Sequence, residues 1–141
     1  MPNEDKKNKE KDGIGKTLFI VDDDNFLLDM YVTKFKEYGF TVIASLGTVD
    51  ALAKIEGDTA IDVLISDIVM PVMSGFEFLE EVKKRGLAKK AIIIILSNLG
   101  QKQDIEKGVA LGAKGYIVKA TSTPREVVDK VLEIMKNNDK K

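Results

Sequence analysis

The sequence predicts an α/β fold in which a doubly wound, five-stranded parallel sheet carries helices on both faces. Two observations support this prediction. Short apolar segments alternate five times with amphipathic segments of helical period, and residues 92–95 form an unbroken run of isoleucines. Alternating strands and helices build βαβ units and hence a parallel sheet, and a continuous β-branched run is typical of a strand buried on both faces.

The first half of the chain contains three predicted strands and two predicted helices. A strand over residues 17–21 is followed by Asp24, which stands where a helix N-cap belongs, and then by apolar residues at helical spacing as far as the stop signal Gly39. Residues 40–44 are predicted as the second strand, and a short amphipathic helix follows it. The third predicted strand spans residues 61–66.

Capping signals mark the helices of the second half. Ser74, with Glu77 three residues later, forms a capping box at the start of a helix. The isoleucine run is the fourth predicted strand, a weaker helix spans residues 101–111, and residues 114–119 form the fifth strand. The last helix begins with an N-cap, an N1 proline and a capping-box acid, which are Thr123, Pro124 and Glu126.

The charge distribution predicts one domain with polar ends. Residues 1–16 are dominated by Lys, Glu, Asp and Asn and are interpreted as a disordered charged tail, because such a segment cannot bury enough apolar surface to offset its ordering entropy. We expect the folded domain to span residues 17–137 and residues 138–141 to fray.

The composition excludes several classes of chemistry. The chain contains no cysteine and no histidine, which rules out thiolate or imidazole metal sites, disulfides and cysteine or histidine catalysis. Any bound metal must use oxygen ligands, as Mg²⁺, Mn²⁺ and Ca²⁺ do. The formal net charge of −1 gives no general reason to expect nucleic-acid binding, and no apolar run resembles a membrane span or a secretory signal. We therefore expect a cytoplasmic protein that binds neither nucleic acid nor a membrane.

Polar residues stand at the carboxyl ends of four predicted strands. Asp22 and Asp23 follow the first strand, Asp67 follows the third, Ser97 ends the fourth and Lys119 ends the fifth. In a doubly wound sheet, ligands bind outside these strand ends. Mg²⁺ binds through a few carboxylates, and a carboxylate nucleophile can form an acyl phosphate. The set therefore suits phosphoryl transfer, which depends mostly on positioning and charge stabilisation.

These residues resemble the receiver domain of two-component response regulators. The resemblance covers about residues 17–135 and rests on F-I-V-D-D-D after the first strand, D-V-L-I-S-D-I-V-M-P-V-M-S-G around Asp67, I-I-I-L-S ending at Ser97, and G-A-K-G-Y-I-V-K ending at Lys119. It implies a flavodoxin-like (βα)5 fold. The strand order 2-1-3-4-5 is the one known for sheets of this type and does not follow from the periodicity of the sequence.

The resemblance also implies a phospho-acceptor and a metal site. Asp67 would be the phosphorylated aspartate, and the phosphoryl group would come from a sensor histidine kinase or a histidine phosphotransfer protein. Asp23 would bind Mg²⁺ (or Mn²⁺) directly and Asp22 largely through water, while Asp67 and the backbone carbonyl of Val69 would complete the protein ligands. The domain would then be a signalling switch and not an enzyme, since it catalyses only its own phosphorylation and dephosphorylation.

The implied switch uses three more residues. Lys119 would contact a phosphoryl oxygen, Ser97 would be the switch hydroxyl that moves toward the phosphoryl group, and Tyr116 would turn inward to fill the vacated space. Phosphorylation would favour one of two conformations of the surface made by helix 4, strand 5 and helix 5. This surface would bind an unknown downstream protein.

One feature departs from the family pattern, and another would affect how long a phosphoryl group persists. Ala120 follows Lys119 where receiver domains usually have a proline joined by a cis bond. Because a cis bond to a non-proline residue costs about 3–4 kcal/mol, Lys119 lies either on a rearranged trans loop or on a strained cis one. Val69 and Leu99 offer no polar group beside the site to position an attacking water. We therefore predict slow self-dephosphorylation.

Other readings stay open. The Ala120 departure is compatible with a pseudo-receiver, an interaction module that works without phosphorylation. Asp22, Asp24, Ser97 and Lys119 superficially fit a haloacid-dehalogenase-like phosphatase, but no acidic pair follows Lys119 and Asp67 would then have no role. Flavin binding is disfavoured because no Ser/Thr-rich loop follows the first strand. The chain resembles a single-domain regulator, or a fragment of a larger regulator or hybrid kinase.

Overall fold

The computed structural model describes residues 12–57 and 60–139. Within them, five parallel strands form one sheet in the order β2-β1-β3-β4-β5, as predicted. The strands are β1 (Thr17–Val21), β2 (Thr41–Ser45), β3 (Val63–Ser66), β4 (Ile92–Ser97) and β5 (Ala113–Val118). The α-helices are α1 (Asn25–Glu37), α2 (Thr48–Glu56), α3 (Gly75–Lys84), α4 (Lys102–Ala110) and α5 (Pro124–Asp139). No helix in this part of the chain is long and apolar enough to cross a membrane.

The two faces of the sheet are buried by different helices. Successive strand residues point to opposite faces. Ile20 packs in the layer formed with α1 and α5, whereas its neighbour Phe19 packs in the layer formed with α2 and α3. In the same way, Ile94 and Ile95 are 0% exposed and belong to opposite layers. This burial on both faces explains why β4 is a run of isoleucines.

Several strand and helix ends differ from the sequence prediction by one or two residues. β2 begins one residue late because the Phe40 amide donates to the Phe35 carbonyl near the end of α1, at 3.3 Å, and the two rings pack edge-on with their centroids 5.5 Å apart. β3 begins two residues late, at Val63. β5 ends one residue early, and a 3₁₀ turn over Lys119–Thr121 follows it. This last difference changes the backbone that carries a predicted site residue.

Side-chain caps start three of the helices that leave the carboxyl edge of the sheet, whereas α2 begins at Gly47 without one. The carboxylate of Asp24 accepts a hydrogen bond from the α1 backbone. Ser74 and Glu77 form the predicted capping box at α3, and Thr123 and Glu126 form a matching one at α5 with hydrogen bonds of 2.9 and 3.2 Å. Each cap of this kind stabilises its helix by about 1 kcal/mol.

The predicted charged tail falls largely on residues 1–11, which lie outside the described residues, as do residues 140–141 of the predicted frayed end. Residues 12–15 form a turn before β1, in which the Gly13 amide donates to the Tyr38 carbonyl at 2.8 Å. A Cβ at Gly13 would lie 2.4 Å from the Phe40 ring. The turn therefore packs closely against the residues that precede β2.

Candidate functional site

Three carboxylates meet at the carboxyl edge of the sheet. Asp22 and Asp23 follow β1, Asp67 follows β3, and one carboxylate oxygen of each lies within 4.8 Å of the others. The pairing of Val21 with Ser66 brings these strand ends side by side. Asp22 and Asp67 are buried, at 1% and 6% exposed, and Asp23 is exposed. Asp22, Asp23 and Asp67 are called the acidic cluster below.

The ammonium of Lys119 lies between two members of the acidic cluster. Lys119 Nζ is 2.6 Å from Asp22 Oδ2 and 2.7 Å from Asp67 Oδ2. Burial by itself lowers the pKa of Lys119, but the hydrogen bonds to Asp22 and Asp67 and the attraction of their charges outweigh it and raise the pKa. The lysine therefore stays protonated and offsets part of the negative charge of the cluster.

The peptide bond after Lys119 is trans. No cis peptide bond occurs among the residues that the structure describes. Of the two alternatives left open by Ala120, the rearranged trans loop is therefore the one found, and it takes the form of the 3₁₀ turn. Lys119 reaches both carboxylates from this turn, so the missing proline does not remove the lysine from the site.

The environment of Asp22 fits a bound cation. Its Oδ1 accepts a hydrogen bond from the Asp24 amide at 2.9 Å, while among the described residues its buried Oδ2 is held only by the 2.6 Å contact with Lys119 Nζ. Burial raises the pKa of Asp22, against the lowering effects of Lys119 and the Asp24 amide. A hard cation such as Mg²⁺ prefers carboxylate oxygens, so this cluster is able to hold one.

Gly75 sets how closely α3 approaches the backbone of Asp67. Asp67 Oδ1 accepts a hydrogen bond from the Ile68 amide at 2.6 Å, and the Gly75 amide donates to the Ile68 carbonyl at 2.8 Å. A Cβ at Gly75 would lie 1.9 Å from the Asp67 carbonyl oxygen, so any side chain there would force the backbone to move. In the sequence, Gly75 ends the motif around Asp67 and directly follows the Ser74 N-cap. This position indicates the close approach of α3 to the Asp67 backbone.

A second contact joins the loop after β3 to α2. Thr48, which is 1% exposed, donates a hydrogen bond to the Met73 carbonyl at 2.5 Å. In the same loop, Val69 is 62% exposed and Val72 is 93% exposed. Val72 has a φ of 71°, in the left-handed region that a β-branched residue rarely adopts. The loop beside Asp67 is thus held by a hydrogen bond from the buried Thr48, although Val72 within it has an unfavourable backbone conformation.

Ser97 and Tyr116 lie on the neighbouring strands β4 and β5 and contact the same residue. Ser97 is fully buried, and its Oγ accepts a hydrogen bond from the Leu99 amide at 3.3 Å. The Tyr116 hydroxyl donates to the Leu99 carbonyl. Burial, followed by the negative charges of Asp104 and Asp67, raises the pKa of Tyr116 to about 12. The hydroxyl therefore remains protonated and able to donate at neutral pH.

Comparison with known proteins assigns the fold and site to one family. The model of the response regulator receiver domain matches residues 18–132. The chain belongs to this family. As a receiver domain it is 30% identical to the response regulator SaeR of Staphylococcus aureus (strain USA300) over 118 residues, which cover 84% of this chain and 50% of the relative. The chain therefore spans about half the length of the curated relatives it matches.

Solved receiver structures have the same fold. The chemotaxis protein CheY4 of Vibrio cholerae superposes with a TM-score of 0.77 at 29% identity, over 84% of this chain and 98% of that one. A CheY-like receiver domain of Methanospirillum hungatei gives a TM-score of 0.78 at 28% identity, over 89% and 97% of the two chains. The receiver domain described here thus has the family's fold, with the acidic cluster at its carboxyl edge.

Proposed function

We propose that this receiver domain is a phosphorylation switch in which Asp67 accepts the phosphoryl group. The observation that carries the proposal is the contact between the buried Asp67 carboxylate and the Lys119 ammonium, beside two further carboxylates. The donor would be a sensor histidine kinase or a histidine phosphotransfer protein, since receiver domains generally take their phosphoryl group from histidine kinases. Mg²⁺ (or Mn²⁺) would be held by the acidic cluster and the backbone carbonyl of Val69.

In the proposed transfer, a carboxylate oxygen of Asp67 attacks the phosphorus of a phosphohistidine on the donor. The new O–P bond forms as the P–N bond breaks, and the electron pair leaves with the imidazole nitrogen. Lys119 Nζ, 2.7 Å from Asp67 Oδ2, is close enough to move onto a phosphoryl oxygen and offset its charge. Mg²⁺, when bound, supplies the remaining neutralisation of the phosphoryl oxygens.

We assign the conformational response to phosphorylation to Ser97, Tyr116 and the loop residue Leu99, which both side chains contact. After phosphorylation, Ser97 Oγ would give up the hydrogen bond that it accepts from the Leu99 amide and donate its own proton to a phosphoryl oxygen, and Tyr116 would turn into the space vacated. Gly108 lets α4 pack closely against β4 beside this ring, because a Cβ there would lie 2.6 Å from Ile95. The surface formed by α4, β5 and α5 would then bind a downstream protein.

The route of output depends on what accompanies the domain. It would act through protein contact, as a separate regulator or phosphorelay shuttle, or within a larger regulator such as the longer curated relatives. We propose a cytoplasmic location, where a kinase could reach it, and no nucleic-acid or membrane contact by this chain. The net charge of −1 supports the absence of nucleic-acid binding.

Acetyl phosphate provides a direct test. The protein is incubated with acetyl phosphate and Mg²⁺ and its intact mass is measured beside Asp67→Asn and the matched control Asp29→Asn, which changes an exposed carboxylate on α1. We expect one phosphoryl group on the wild type and on Asp29→Asn, none on Asp67→Asn, and none on any of them with EDTA.

A kinase donor completes the test. If neither acetyl phosphate nor a histidine kinase phosphorylates the folded wild type, the domain is a phosphorylation-independent interaction module and the proposal is wrong. Turnover of a phosphate-ester substrate would instead favour a phosphatase.

A further inference from the structure

A group of basic side chains lies at the amino edge of the sheet, at the opposite end from the acidic cluster. Lys83 and Lys84 end α3, and Lys89 and Lys90 lie in the loop that leads to β4. All four are exposed, and none forms an ion pair with another described residue. These four lysines are called the basic patch below.

Arg85, in the middle of this segment, has a different role. Its guanidinium contacts the carboxylates of Glu56 and Glu81, the latter at 2.9 Å. It thereby links the end of α2 to α3, which accounts for its charge. The helix dipole favours cations in the last turn of α3 and so accounts for Lys83 and Lys84 in part. It does not account for Lys89 and Lys90, which lie beyond the helix.

A cavity of about 350 Å³ opens beside the basic patch, between the end of α2 and the loop after α3. Its accessible apolar lining comes from Leu87 and Ala88, whereas Ile55 beneath them is only 1% exposed. Lys89 and Lys90 lie at the same cavity, and the Glu56 carboxylate that also lines it is paired with Arg85, so ammonium groups and hydrocarbon are combined in one small surface. Such a volume accommodates an apolar side chain rather than a folded surface.

The loop that carries Lys89 and Lys90 has a defined shape. Gly86 has a φ of 66° and Ala88 a φ of 47°, and the second is unusual for a residue with a Cβ. The Leu87 amide donates to the Val82 carbonyl at 2.9 Å, which closes the loop onto α3. The cavity wall is therefore formed before any partner arrives, which lowers the ordering cost of binding.

We propose that the basic patch and its cavity bind an acidic segment of a partner protein, in which an apolar side chain is flanked by carboxylates. The ammonium groups of Lys89 and Lys90 at the cavity, with those of Lys83 and Lys84 at the end of α3, complement the carboxylates, and the Leu87 and Ala88 lining complements the apolar side chain. A nucleic acid would leave this apolar lining unused. The surface lies at the opposite edge from Asp67, so binding here is separate from phosphoryl transfer.

The test uses the full chain and a labelled peptide, E-E-L-F-E-E, followed by fluorescence anisotropy at low salt. We expect Lys89→Glu/Lys90→Glu to weaken binding by about tenfold or more, because two attractive charges become repulsive. The matched control, Lys36→Glu/Lys136→Glu, makes the same charge change at exposed lysines of α1 and α5 and should leave binding almost unchanged. Phosphorylation by acetyl phosphate should be equal in all three proteins, so a failure here is distinct from a failure of the proposed switch.

Peptide controls and rival ligands decide what the surface recognises. Replacing the apolar pair (E-E-S-S-E-E) or the carboxylates (Q-Q-L-F-Q-Q) should each reduce affinity, and added salt should weaken the parent peptide. The proposal is overturned if the parent peptide does not bind, if E-E-S-S-E-E binds equally well, or if both double variants lose binding equally. It is also overturned if duplex DNA or anionic vesicles bind more tightly through the same lysines.

Discussion

Lys119 and Asp67 are joined by a 2.7 Å contact between Nζ and Oδ2, although Lys119 is carried by a 3₁₀ turn with a trans peptide to Ala120. The same ammonium lies 2.6 Å from Asp22 Oδ2. One cation therefore contacts two carboxylates that follow different strands and lies beside Asp67 Oδ2. In the proposed switch, a metal ion and an incoming phosphoryl group would both have to be accommodated around it.

Replacing Lys119 separates its two effects. In Lys119→Met, the rate of phosphorylation by acetyl phosphate should fall about 100-fold, because the positive charge that stabilises the phosphoryl oxygens is lost. The affinity for Mg²⁺ should rise, because the ammonium no longer competes for Asp22 and Asp67. Intact-mass time courses measure the first effect and isothermal titration calorimetry the second. Lys114→Met, at an exposed lysine of β5, serves as the control, and an unchanged rate in Lys119→Met would contradict the assigned role.

The phosphorylated protein should lose its phosphoryl group slowly. Val69 and Leu99 are 62% and 37% exposed and present only hydrocarbon beside the site. We expect Val69→Asn/Leu99→Gln to shorten the phosphoryl lifetime by roughly tenfold, because polar groups there can position the attacking water. The decay is followed by intact mass after removal of the donor. A wild-type lifetime of only seconds would show that the apolar side chains do not protect the acyl phosphate.

Replacing Val72 should stabilise the folded protein. A left-handed conformation costs a residue with a Cβ about 1–2 kcal/mol, and asparagine tolerates it better than valine. Because Val72 is 93% exposed at a φ of 71°, Val72→Asn should raise the free energy of unfolding by about 1 kcal/mol with no loss of packing. Urea denaturation followed by circular dichroism measures this. Val49→Asn, at an exposed position inside α2, should bring no gain, and equal effects of the two changes would remove the conformational explanation.

Tyr116 should make stability fall at alkaline pH. Burial, followed by the charges of Asp104 and Asp67, raises its pKa from 10.0 to about 12, so the folded protein holds this proton more tightly than the unfolded chain. The resulting stability is complete below the unfolded pKa and is lost as the pH rises through the folded one. Tyr116→Phe lacks this contribution, so its unfolding free energy should decline less between pH 10 and about 12. The unfolding free energies of both proteins are measured by urea titration at a series of pH values. If they decline equally with pH, the pKa of Tyr116 is not raised by folding.

The fold and most of the strand-end chemistry were predictable from the sequence for a simple reason. The apolar runs stop where Asp22, Asp67 and Ser97 stand, and parallel strands bring their carboxyl ends to one edge. The strand order came from the resemblance, because periodicity does not say which strands pair. Capping residues such as Ser74 were recognisable because their interactions are local in sequence.

The unpredicted details depend on contacts between distant segments or on backbone conformation. Whether Lys119 reaches Asp67 without a following proline depends on the 3₁₀ turn, for which the sequence contains no strong signal. The left-handed φ of Val72 runs against the preference of valine, so the local sequence gives no signal for it. The hydrogen bond from Thr48 to Met73 joins residues that only the tertiary fold brings together.

The site is assembled from strand ends that are far apart along the chain. A nascent polypeptide synthesised only as far as β4 already contains the three carboxylates but lacks Lys119, which follows the edge strand β5. The carboxylates themselves come together only once β1 has paired with β3, although β2 lies between them in the sequence. Assembly of the complete site therefore requires that β1, β3, β4 and β5 have all paired. In the proposed switch, copies truncated before β5 would lack Lys119 and would compete poorly for the donor's phosphoryl group.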